Sequence, residues 1–218
     1  MIRDFGIVWS ERSLLLSGLA NTTILSVLSA AAALVLGMAL TPALMARNRA
    51  VVFAARGFVD GMRCVPFLLF AYIVYYGLPS LGLRFDNWTS GLVALIVYNT
   101  AYMAEILRGA WQAQPREPIE AGVAFGFSEL RLFRRIILPP LLLMAGPVIG
   151  NQVIQIIKDS AFLTIIALPE LTHAASSIQS RRYVPFAAFI TAVALYWGLC
   201  LIVEAGVSSI GRLAEARR

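Results

Sequence analysis

One lysine, one histidine and two cysteines are all that this 218-residue chain holds of the residues that most often build catalytic and metal centres. A lone His173, beside Ala174, Ala175 and Ser176, excludes His-rich metal clusters and HExxH chemistry and reads as a solvated or helix-end residue. The lone lysine, Lys158, follows Ile156 and Ile157, so no GxxxxGK[ST] phosphate loop exists and the chain alone cannot cradle and hydrolyse ATP. Cys64 and Cys200, with 135 residues between them, form neither a disulfide framework nor a metal site and read as small buried apolar residues. Charge is scarce too. Only 14% of residues are charged and 59% are hydrophobic, whereas a soluble domain carries about a quarter charged. An ordinary soluble enzyme and the disordered and fibrous classes are thereby excluded.

What is present is a series of long uncharged runs. Thirty-four residues separate Arg12 from Arg47, 20 separate Arg63 from Arg84, and 18 separate Asp86 from Glu105. A further 22 lie between Arg135 and Lys158, and 21 between Arg182 and Glu204. Each is long enough to cross a roughly 30 Å hydrocarbon core as a helix of about 20 residues. The composition therefore predicts an all-α membrane protein with five transmembrane helices. Their expected ranges are about 16–44, 64–79, 88–108, 136–157 and 185–207. Residues 1–15 are expected to form an outer-face lead-in, the membrane domain to cover 16–210, and 211–218 to be a basic cytoplasmic tail. The first apolar run is too long for a signal-peptide core and reads as a retained span.

The net charge of +6 is almost all arginine, and it sits in the connections without interleaved aromatics, so it is no nucleic-acid signal. It orients the helices instead. Twelve arginines (47, 49, 56, 63, 108, 116, 131, 134, 135, 212, 217 and 218) fall on one side. Five (3, 12, 84, 181 and 182) fall on the other. The richer side is cytoplasmic by the positive-inside rule, which places the N-terminus outside and the C-terminus inside. In the first span, the small residues Ser29 to Ala33 and Gly37 invite close approach of another helix.

Residues 109–135 are the least membrane-like interior stretch, and 120–139 read EAGVAFGFSELRLFRRIILP. This segment resembles the EAA loop of bacterial ABC importer permeases, E-A-A, three residues, G, nine residues, I-x-L-P. Glu120, Ala121, Gly122, Gly126, Ile136, Leu138 and Pro139 fall at that spacing, with Gly122 in place of the second Ala. Five further segments resemble the polar amino acid branch: Arg63 to Pro66, Tyr75 to Pro79, Ala101 to Gly109, Asn151 to Ser160, and Glu170-Leu171. The resemblance spans nearly the whole chain in order and implies a type I ABC importer transmembrane domain. It further implies an ATPase dimer that docks on the 109–135 loop and binds ATP and Mg, with no cofactor or metal in this chain. A second permease subunit, identical or homologous, and a periplasmic or tethered solute-binding protein complete the implied complex. The implied substrate is an amino acid, and the implied location is the bacterial inner membrane.

In that loop Ala121, Gly122 and Gly126 would let a partner approach closely, and Phe125 and Phe127 would be apolar anchors. Glu120 and Arg131 complete the candidate coupling set, with Arg134 and Arg135 joining Arg131 to hold the loop at the anionic inner surface. Polar groups inside a membrane are functional candidates by default. Asn151, Gln155, Lys158 and Asp159 fall within about a 100° arc of the fourth span, and Tyr98, Tyr102 and Glu105 share a second arc with Asn99 beside it. Asn99, Tyr102, Glu105, Asn151, Gln155, Lys158 and Asp159, with Ser160 at the end of the Lys-Asp-Ser run, are the candidate substrate path. Two alternatives remain open for the pair Lys158 and Asp159: contact with a zwitterion, or pairing with each other. The rival overall reading is a self-contained secondary transporter or channel for a small polar solute.

Overall fold

The computed structural model describes residues 2–215, with side chains for 3–208. Helix α1 (Ile2–Ser10) leads into α2 (Arg12–Leu44), followed by α3 (Arg49–Cys64) and α4 (Phe67–Tyr72). A wide π turn (Ile73–Gly77) and a 3-10 turn (Leu78–Leu81) continue α4 towards α5 (Asn87–Gln112). Two short helices, α6 (Glu117–Ala124) and α7 (Glu129–Leu132), then precede a second π turn (Phe133–Ile137) that runs into α8 (Leu138–Ser160). A 3-10 stretch (Ala161–Ile166), α9 (Leu171–Arg182) and α10 (Pro185–Glu215) follow, and no strand occurs among the described residues. Of the tail 211–218, the backbone to Glu215 continues α10, and 216–218 lie outside the described residues.

Four helices are long and apolar enough to cross a membrane, and the pair Arg49–Cys64 and Phe67–Leu81, bent by 105°, supplies a fifth. The second span therefore begins after Pro66 rather than at 64. Proline has no N–H and forces the preceding residue out of the helical region, and Val65 is extended at φ −93°, ψ 133°. The bend puts Cys64 on the surface, correcting the expectation that it is buried; Cys200 is half-buried. The fourth span is not interrupted by its prolines either. Pro139 and Pro140 open α8 directly after the π turn Phe133–Ile137, the kind of local adjustment that accommodates missing N–H groups in a continuous helix, and Pro147 lies farther inside. The apolar helix around it extends from Glu129 to Ile166, well beyond 136–157.

Helix α5 is the centre of the bundle, with 61% of its apolar window buried against 17% for α10. It is approached most closely by α2, whose buried Thr22, Ser26, Ser29, Ala33, Gly37 and Thr41 recur every three or four residues on one face. A methyl on Gly37 would sit 2.8 Å from Met103 Cβ and 3.0 Å from the Ala104 nitrogen, so the two backbones touch there. Small residues permit this, and dispersion attraction between the touching backbones stands in for a hydrophobic drive that lipid cannot supply.

At the end of the bundle where α2 begins, α9 is tied down by its own first residues. The carboxylate of Glu170, completely buried, accepts from Thr172 N and His173 N (both 2.6 Å) and from Tyr196 Oη (2.7 Å). Thr22 Oγ1 accepts from Leu171 N at 3.1 Å, and Asn21 Nδ2 donates to Pro169 O at 2.8 Å. A few residues away, Arg182 donates twice to Glu11 (2.9 and 2.6 Å), which holds that half-buried carboxyl below the usual carboxylate range. The α1–α2 corner is thus fastened to the last turn of α9.

The α2–α5 contact predicts a sharp contrast between two glycines. Gly37→Ala should destabilise the folded chain in detergent by about 1–3 kcal/mol, since its methyl meets backbone that cannot yield. Gly57→Ala, with nothing within 4 Å, should be neutral or slightly stabilising through helix propensity. Thermal unfolding of the two variants checks this; equal shifts would contradict the close packing.

Candidate functional site

The 109–135 segment is a compact hook of short helices, α6 and α7, with the break between them at Phe125–Ser128. Helix α6 ends in a Schellman motif: Phe127 N donates to Gly122 O (3.0 Å) and Gly126 N donates to Val123 O (2.9 Å). Gly126 is left-handed at φ +74°, a conformation that a side chain would strain. A methyl on Gly122 would meet Leu132 Cδ1 at 2.5 Å and Ile136 Cδ1 at 2.6 Å. The expectation that Gly122 makes room for a partner is therefore corrected, while Gly126 stays exposed with open space where a side chain would stand. One makes room for this chain's own Leu132 and Ile136, and the other closes the turn.

What the hook presents outward is different. Phe125 is 85% exposed, Val123 and Leu130 are also exposed, and Glu120 and Ala121 flank them at the surface. Phe127 is only half-exposed, turned under the Arg131 guanidinium, which lies 5.8 Å from its ring centroid. Of the two expected anchors, Phe125 alone is free to enter a partner's cleft. The base of the hook is fixed to the spans by Gln114 Nε2, which donates to Ile137 O (3.0 Å), and by Trp111 packed on Phe133 (centroids 5.3 Å apart). Gln114 carries no periodic or motif signal in the sequence, and its role emerges only from this hydrogen bond.

The candidate path residues separate into groups. Asn151, Gln155 and Lys158 lie together on an exposed face of α8. Asp159 is buried beside them and accepts from Gln155 Nε2 at 2.9 Å. Among the described residues no carboxylate lies within ion-pair distance of Lys158, so Asp159 is held by Gln155 and not by a salt bridge to its neighbour. The Ser160 hydroxyl donates back to Ile157 O at 2.8 Å and is buried, closed off from the surface in this arrangement.

Asn99 is likewise withdrawn from the path. It is completely buried, donates to Leu95 O (2.9 Å) and accepts from Gln152 Nε2 (2.8 Å), which joins α5 to α8. Gln152 is absent from the sequence-derived set, although it lies three residues before Gln155 and seven before Asp159 and so shares their face by spacing alone. Glu105 is committed to a fork of two 2.7 Å bonds from Arg108, with Arg63 at 3.8 Å. Tyr102 lies beneath Arg63 (5.9 Å) and 3.3 Å from Tyr98 Oη, which donates to Val65 O at 3.0 Å. These groups pin the bend between α3 and α4 onto α5. Tyr102 and Glu105 do share one arc, as their spacing predicts, but spacing does not show that arginines occupy the carboxylate.

Comparison with known proteins fits this arrangement. The family model described as "Binding-protein-dependent transport system inner membrane component" matches residues 33–213. The chain is 29% identical over 212 residues to the probable glutamine ABC transporter permease protein GlnM of Bacillus subtilis (strain 168), covering 97% of this chain and 98% of that one. It is 30% identical over 215 residues to the arginine transport system permease protein ArtQ of the same organism, covering 98% and 96%. A solved amino acid ABC transporter with histidines superposes with a TM-score of 0.87 at 28% identity, over 95% of this chain and 97% of that one. With five spans, a hook closed at Gly126 and a match over residues 33–213, this chain belongs to the family of inner-membrane components of binding-protein-dependent transport systems.

Proposed function

We propose that this chain forms the translocation path for a polar amino acid, or a related small zwitterion, in an ATP-driven importer. The observation that carries the reading is the rigid hook 117–137, which presents an 85% exposed Phe125 from a transport-family chain that lacks any phosphate loop. The chain is no enzyme: in such systems the ATPase is a separate subunit. ATP and Mg belong to that subunit, working as a dimer beneath two permease subunits, identical or homologous. ATP-driven closure of the ATPases moves the hooks, and the path switches towards the outside, where the solute-binding protein delivers its cargo. Relatives named for glutamine and arginine support an amino acid as that cargo. Family membership sets aside the self-contained secondary transporter.

Within the path, the exposed α8 face offers a cation at Lys158 and amides at Asn151 and Gln155, with the Asp159 carboxylate behind. A zwitterion needs partners for both of its ends, and an exposed polar stripe on a spanning helix must meet water or protein rather than lipid. Asn99, Glu105 and Ser160 serve the bundle itself. The same reading puts α1, α9 and the N-terminus outside, with α3, the hook and the C-terminus in the cytoplasm, as the twelve-to-five arginine imbalance requires.

Phe125→Ala should weaken ATPase docking by about 2 kcal/mol, roughly thirtyfold, as loss of a central aromatic anchor does. Co-purification of the ATPase reads this, and undiminished capture with normal uptake would remove Phe125 from the interface. Asp159→Asn should raise the substrate concentration for half-maximal uptake about ten- to hundredfold while complex yield is kept, the usual worth of a hydrogen bond to a charged group. Uptake kinetics in proteoliposomes decide it, unchanged kinetics placing Asp159 outside the path. Reporter fusions after residue 84 should be active outside and those after residue 116 inside; the reverse pattern inverts the proposed orientation.

A further inference from the structure

Arg131, Arg134 and Arg135 stand at positions i, i+3 and i+4 of the continuous turn from α7 through Phe133–Ile137, and so share one face. With Ser128 and Leu130 they line an open groove of about 530 Å³. Like charges so spaced repel one another on a helix. Among the described residues no carboxylate lies within ion-pair distance of any of the three. The Ser128 hydroxyl caps nothing, although it occupies the N-cap position of α7. Arg131 is already positioned over the Phe127 ring. The groove thus holds three cations and an uncommitted hydroxyl with no counter-charge from the described residues of this chain.

Its depth says what supplies the counter-charge. The apolar run that leads into α8 begins at Ile136, directly after Arg135, so these guanidiniums stand within about one helical turn of the hydrocarbon boundary. Trp111, packed on Phe133 at the same level, is the kind of aromatic that settles among headgroups. Leu143 and Val148 are exposed farther along α8, on the hydrocarbon side of the groove. A ligand with an anionic phosphate at one end and a hydrocarbon tail at the other fits both parts.

We infer that the groove lined by Ser128, Leu130, Arg131, Arg134 and Arg135 binds the phosphodiester headgroup of an anionic phospholipid. The guanidiniums fork onto the phosphate oxygens, the Ser128 hydroxyl donates to another, and the acyl chains lie along α8. Lipid bound there braces the base of the coupling hook against the membrane. The inference rests on the proposed placement of the hook at the bilayer surface. Lipid retention reads the same in either leaflet, so an inverted topology would show in the reporter fusions and not in this measurement.

The test is native mass spectrometry of the intact complex after incubation with phosphatidylcholine vesicles with and without phosphatidylglycerol. The wild type should retain phosphatidylglycerol in preference to phosphatidylcholine. R134Q/R135Q should retain it roughly thirtyfold more weakly, and R134Q alone about fivefold more weakly. R134K/R135K, which keeps the charge, should retain most of it, and this variant separates loss of charge from loss of fold. Equal retention by wild type and R134Q/R135Q overturns the inference. So does displacement by millimolar inorganic phosphate without regard to acyl chains, which would make the groove a free-phosphate site. Loss of the ATPase from R134Q/R135Q with lipid retention intact overturns it as well, by assigning the arginines to a protein partner.

Discussion

The backbone contact between α2 and α5 at Gly37 is the constraint on which the remaining architecture depends. In lipid, helices gain little by hiding apolar surface from one another, so the bundle needs places where backbones come within van der Waals reach. Gly37 against Met103 and Ala104 is one, and Gly18 against Glu170, Leu171 and Ala174 is another on the same helix. Helix α2 therefore positions α5 at one depth and the start of α9 at another. With α5 buried at the centre, α8 and α10 are left with most of their surface facing outward. The exposed polar stripe of α8 is a consequence of that geometry.

The polar residues inside the bundle do two kinds of work. Some are fully satisfied by this chain: Asn99 with Gln152, Glu105 with Arg108, Glu170 with two amides and Tyr196. A buried polar group left unpaired costs free energy, and these pairings turn that cost into specificity of helix register. Others, Asn151, Gln155 and Lys158, remain exposed on a helix that spans lipid. Burial and hydrogen-bond partners separate the two kinds where residue type alone does not.

The hook obeys the same logic. Its two glycines serve internal geometry, one by admitting Leu132 and Ile136 and the other by adopting φ +74°, and that closure throws Phe125 outward. The hook is anchored through Gln114 and the Trp111–Phe133 contact to the ends of α5 and α8.

The five uncharged runs determined the number of spans, because spanning lipid demands about 20 uncharged residues in a row whatever the tertiary arrangement. The motif at 120–139 located the hook, because Gly at a helix C′ position is a local backbone requirement and leaves a local trace. The small residues of α2 likewise announced a close helix contact. What only the tertiary structure decided is which partner each polar group takes. The Glu105 fork with Arg108 is local, but Arg63, Gln152, Tyr196 and Gln114 reach their partners across 42, 53, 26 and 23 residues of chain. The same holds for the bend after Cys64, whose local cause is Pro66 but whose direction is held by Tyr98 from another helix. Periodicity reports which face of a helix a residue occupies; the neighbour on that face is set by packing between segments distant in sequence, and no local pattern encodes it.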